Sequence, residues 1–188
     1  MDFKPITPTI CTLRMRGKCL NYSIVNGHVL TKTSDDEEKD RFFEVLEKTH
    51  DISPKNDTKI VLGNFNGQLA KKTVNFSTTG KYSLHILMSG NGSWLIQFAV
   101  SWDMIIGSTF YPHNDIHNST RRSPDGVRFN HIDHLLIERW HKCNLMDVRS
   151  YWGATIDSDH DLVISHLRAL ILNVNKVTGT RNSLVQCI

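Results

Sequence analysis

Asn130-His131-Ile132-Asp133-His134-Leu135-Leu136-Ile137 and Ser158-Asp159-His160-Asp161-Leu162-Val163-Ile164 are the two stretches that decide the fold. In each, an acid stands beside an imidazole at the mouth of an apolar run short enough to be a buried strand. A polar turn opening onto a buried strand is where a layered α/β protein carries its chemistry. Asp133, Asp159 and His160 are therefore the first candidate site residues.

Outward from these stretches, Lys59-Ile60-Val61-Leu62 is a third apolar strand, ending in the turn Gly63-Asn64-Phe65-Asn66-Gly67. Cys19 to Val25 alternates and stops at Asn26-Gly27, a pair suited to positive φ and hence to a turn. Ser34-Asp35-Asp36-Glu37 has the form of a capping box, with Phe42, Phe43 and Leu46 following at helical spacing, which predicts a helix over 35–49. A second helix follows Asn91 as its cap, with Trp94, Leu95, Phe98, Ala99 and Trp102 on one face. Strands are expected over 104–110, 130–137 and 145–152, with a long surface loop over 68–90. Residues 1–9 read as a loose segment, 10–172 as the folded domain and 173–188 as a disordered tail.

The chain has 188 residues, 39% apolar and 22% charged, which suits one globular domain with a real core. A net charge of +3 permits a polyanionic partner without demanding one. The four cysteines contain no C-x-x-C pair, so reduced thiols and an intracellular, nuclear or cytoplasmic, protein are expected. No uncharged apolar run approaches the roughly 20 residues of a membrane helix, so no membrane partner is expected. The spacing of His113, His117, His131 and His134 also admits a zinc site, although no Cys or acid is fixed beside it.

Asn130-x-Ile132-Asp133-His134 followed by Ser158-Asp159-His160 resembles the C-terminal signature of the endonuclease/exonuclease/phosphatase family, in its retrotransposon-derived, craniofacial-development-protein-2-like branch. Phe3-Lys4-Pro5-Ile6, Gly80-Lys81-Tyr82-Ser83-Leu84-His85, Thr109-Phe110-Tyr111-Pro112-His113 and Ser123-Pro124-Asp125-Gly126 extend the likeness in the family order. The resemblance implies an α/β fold, an incomplete four-layer sandwich of two packed mixed β-sheets whose opening strands are missing. It implies Mg²⁺- or Mn²⁺-dependent phosphodiester hydrolysis, with DNA or another phosphodiester as substrate. By the same likeness His160 contacts the scissile phosphate, Asp133 orients that ring and Asp159 lies near a weakly held metal. Asn66 would be an amide donor to phosphate, with Asn130 also on the substrate side.

One departure bears on the chemistry. The family turn Gly-Asp-x-Asn reads Gly63-Asn64-Phe65-Asn66 here, and an amide at Asn64 neither takes a proton nor lends charge to a hydrated cation. With the missing strands, Asn64 predicts an impaired enzyme. The alternative is a non-catalytic remnant that binds nucleic acid or a protein partner, with Arg121, Arg122, Arg128, Lys71 and Lys72 as its basic residues.

Overall fold

Ten strands and three helices are arranged around one six-stranded mixed sheet in the computed structural model, which describes residues 1–17, 20–29, 36–71, 77–123, 126–152 and 158–168. In chain order the elements are β1 (Asp2–Thr7), β2 (Ile10–Met15), β3 (Tyr22–His28), α1 (Asp36–Asp51) and β4 (Thr58–Asn64). There follow α2 (Gly90–Ser101), β5 (Met104–Ile106), the single turn α3 (Asp115–Asn118), β6 (Arg121–Arg122) and β7 (Phe129–Asn130). β8 (Asp133–Glu138), β9 (Leu145–Tyr151) and β10 (Leu162–Leu167) complete the set. The large sheet has the order β1-β2-β3-β4-β8-β5, while β9 with β10 and β6 with β7 form two small antiparallel ribbons.

The apolar runs are long because the central strands are covered on both faces. In β4, Val61 faces a core shared with Phe42, Phe43 and Leu46 of α1 and Leu95, Phe98 and Ala99 of α2. Its neighbour Ile60 belongs to a second core with Leu145 and Val148 of β9, against which Val163 of β10 packs. β8 divides the same way, Leu136 to the helices and Leu135 and Ile137 to the ribbon. The layers are thus helices, a six-stranded mixed sheet and a smaller sheet, in agreement with the expected α/β class of packed mixed sheets.

Several local expectations are corrected. Asp2–Thr7 is not loose: it pairs with β2 along most of its length, and Pro5 is accommodated because β1 is an edge strand with a register shift there. Asn26-Gly27 is not a turn. Both residues lie inside β3, which runs parallel to β4 with Gly27 opposite Gly63 and His28 opposite Asn64, and α1 makes the crossover that a parallel pair requires. α2 begins two residues early, capped by Ser89, whose hydroxyl accepts from the Gly92 N–H at 3.2 Å. Asn91 is buried instead and donates to the Phe65 carbonyl.

The strand expected over 104–110 ends at Ile106 and passes into a 3₁₀ turn over Gly107–Thr109, where Thr109 Oγ1 donates to the Ile106 carbonyl. Cys143 is disulfide-bonded, against the expectation of reduced thiols, since separation along a chain says nothing of distance in the fold. Ser34, Asp35 and the tail 173–188 lie outside the described residues. Among the described residues no helix is long and apolar enough to cross a membrane.

Candidate active site

The ends of β4 and β8 bring the site together. Asn64 is the last residue of β4, Asp133 the first of β8, and the two are register partners across that antiparallel pair. Opposite residues in such a ladder share a face. Ser158-Asp159-His160 arrives from the segment before β10 and is stitched to β6: Arg122 N–H donates to the Asp159 carbonyl at 2.9 Å, and Arg121 and His160 are bridge partners. Arg121 in turn pairs with Asn130 of β7, so Asn130, Arg121 and His160 lie side by side.

The expected acid–imidazole pair is present. His160 Nδ1 lies 3.1 Å from Asp133 Oδ2, with the Asp133 side chain 18% and the histidine 26% exposed. Burial raises the Asp133 carboxyl above its ordinary value, against the opposing pull of a Thr120 hydrogen bond and the neighbouring His160. The Thr120 hydroxyl oxygen also accepts the backbone N–H groups of Ile132 and Asp133, each at 3.1 Å, and so sets the entry into β8.

The other candidates converge on the same end of the sheet but are already engaged. Asn64 Oδ1 accepts the Asn66 N–H at 2.8 Å, closing a tight turn in which Asn66 adopts φ +46°, a left-handed conformation that asparagine tolerates. The Asn66 side-chain amide donates to the Val29 carbonyl at 2.8 Å, leaving its second N–H for a ligand. Asn130 Oδ1 accepts from Gln68 Nε2 at 2.7 Å.

Asp159 accepts from Arg121 Nε at 2.7 Å, and that bond holds its carboxyl below the ordinary value. Its other oxygen lies 4.0 Å from His160 Nε2.

Fit to a metal follows from this inventory. A magnesium ion keeps its waters and relies on one or two carboxylates to offset its charge. Here Asp133 is committed to His160 and Asp159 to Arg121, while Asn64 contributes no charge. Among the described residues no three His, Cys, Asp or Glu side chains are grouped as a metal would need. The side chains present do not fit a Mg²⁺ centre.

The histidine zinc expectation is also corrected. His113 bonds Asp147 at 2.6 Å, and His134 has both nitrogens engaged, by the Ser108 hydroxyl and the Gly67 carbonyl. Two residues of the site were missed from the sequence, Thr120 and Gln68, since neither belongs to a spacing that marks chemistry. Of the basic residues, Arg121 and Arg122 reach the site. Arg122 stacks on Trp152 at 4.5 Å and pairs with Asp161 at 3.0 Å. Lys72 lies outside the described residues.

No protein-family model matches the chain. Its fold matches the 3'-5' exonuclease NExo of Neisseria meningitidis with a TM-score of 0.64 at 16% identity, over 89% of this chain and 71% of that one. The endonuclease domain of TRAS1, a telomere-specific non-LTR retrotransposon, aligns with a TM-score of 0.60 at 13% identity, over 89% and 67% of the two chains. A layered fold that brings an aspartate, a histidine and a polar turn to one end of a mixed sheet is thus similar to the fold of these nuclease domains. Among curated proteins, the chain is similar to craniofacial development protein 2. It is 25% identical over 167 residues to craniofacial development protein 2 of Bos taurus and 26% identical to that of Tragulus javanicus, covering 89% of this chain in each case. It spans only 28% and 29% of the length of those relatives.

Proposed function

We propose that this chain binds the phosphodiester backbone of DNA through a nuclease-type site whose hydrolytic step is impaired. The observation that carries the reading is that each acid of the site is already engaged by a neighbouring side chain, Asp133 by the His160 ring and Asp159 by the Arg121 guanidinium, while the turn where the resemblance expects a third acid holds Asn64. The surviving parts are those that hold a phosphate: an imidazole oriented by a carboxylate, the spare N–H of Asn66 and the Arg121 guanidinium. The turn position whose acid would take a proton from water is the one replaced, by Asn64. Losing a general base alone slows such reactions by about 10²–10⁴.

DNA as partner is supported by the neighbours, one of them the NExo 3' phosphatase bound to a product DNA hairpin. The test sets binding against turnover. The chain should retard a fluorescein-labelled DNA duplex in a salt-dependent way while plasmid nicking with Mg²⁺ stays at background. Nicking that is robust and lost in His160→Ala would overturn the impairment.

A further inference from the structure

We propose that Arg121 is the cation of the phosphodiester site, so that the site takes up the anion without a divalent metal. This rests on the phosphodiester reading above and adds to it the group that neutralises the phosphate.

Arg121 is fixed at both ends. Its backbone lies between Asn130 of β7 and His160, so its side chain rises on the face shared with those two residues. At the tip, Nε donates to Asp159 Oδ2 at 2.7 Å. That bond uses one of five donors, and among the described residues the two Nη groups have no partner. The side chain is 39% exposed, so those groups are open to a ligand. A guanidinium held by its Nε and open at its Nη edge presents the fork that suits two phosphate oxygens. His160 Nε2 supplies a further polar atom on the same face, since Nδ1 is the nitrogen directed at Asp133.

Asp159 then has a role different from that of a metal ligand. It positions the guanidinium, and its charge opposes an incoming phosphate. Removing that charge while keeping an acceptor for Nε should tighten anion binding. A carboxylate that held a metal would behave in the opposite sense, because its loss would weaken metal-assisted binding.

The experiment measures anisotropy of a short fluorescein-labelled DNA duplex with the full chain, in EDTA and in MgCl₂, at fixed low salt. Binding should persist in EDTA and not tighten with Mg²⁺. Arg121→Gln should weaken it by about tenfold, the scale of one lost charge-assisted contact. Arg121→Lys should recover part of the loss, and Asp159→Asn should tighten binding in EDTA by roughly the threefold or more expected from one removed repulsion. Thermal melting of each variant checks folding, and an exposed ion pair of this kind should move Tm by only a few degrees. Binding that requires Mg²⁺ and weakens in Asp159→Asn overturns the role of Arg121 while leaving the phosphodiester reading intact. Absence of binding with and without Mg²⁺ overturns both.

Discussion

Asn64 and Asp133 face each other across the β4–β8 pair, one neutral and one acidic. The neutrality has an energetic use. Asp133 is half enclosed, its carboxyl already raised by burial, and a second carboxylate directly opposite would repel it. Asn64→Asp should keep the acceptor for the Asn66 N–H yet cost roughly 0.5–1 kcal/mol at neutral pH in EDTA. In a chain of this size that lowers Tm by about 1–4 °C. The variant also adds to this end of the sheet a carboxylate not committed to His160 or Arg121, and a hydrated Mg²⁺ can rely on one such group. Millimolar MgCl₂ should therefore restore its Tm and leave the parent chain unmoved. Melting curves of the two proteins in EDTA and in MgCl₂ decide this, and equal curves would sink it.

At the scale of the element, the end of β4 depends on a contact between two backbones. Gly63 adopts φ +141°, and a Cβ there would stand 1.9 Å from the Gly27 carbonyl oxygen of β3. On the other strand, a Cβ on Gly27 would meet the Phe42 ring of α1 at 2.9 Å. The glycines let β3 and β4 close tightly where Asn64 leaves the sheet. Gly63→Ala must both strain the backbone and push β3 away, so a loss of about 3 kcal/mol or more is expected by urea denaturation. Asn64, Asn66 and DNA binding should be disturbed with it. A variant as stable as the parent would show that this strand end is not held by the close approach.

For the whole molecule, the buried histidines govern the response to acid. Burial pushes His50, packed between Phe98 and Trp102, down to about 4, and the nearby Lys59 adds to the shift. Burial likewise brings His134 to about 4 and lowers His131. The sign follows: between about pH 4 and 6.5 the unfolded chain binds protons at these sites and the folded chain does not, so stability is full above 6.5 and falls as the pH drops toward 4. Each such histidine should contribute about 1.4 kcal/mol per pH unit in that window. Among the described residues neither His50 ring nitrogen has a hydrogen-bond partner, so His50→Phe should retain the ring contacts and remove about one proton from the slope. Unfolding free energies from denaturant titrations across the window test this. An unchanged slope in His50→Phe would rule out His50 as a contributor.

The sequence by itself determined the layers, the central strands and the acid–imidazole pair. Ile60-Val61-Leu62 and Leu135-Leu136-Ile137 are apolar at successive positions because β4 and β8 are buried on both faces, and that pattern survives in one dimension. Asp133 was legible because it sits at the mouth of such a strand, and His160 because it stands in a recognisable motif just before β10, although that strand is half-buried or exposed rather than buried. What only the tertiary structure decided depends on partners far apart in the chain. Asp2–Thr7 is a strand because β2 supplies its hydrogen bonds, and its own side chains, mostly exposed, give no pattern. Asn26-Gly27 has the local chemistry of a turn but is drawn into β3 by its parallel partner β4. The contact from Arg121 to Asp159 spans 38 residues and leaves no periodic trace. Local chemistry can propose a carboxylate as a metal ligand, but only the fold shows which cation has reached it first.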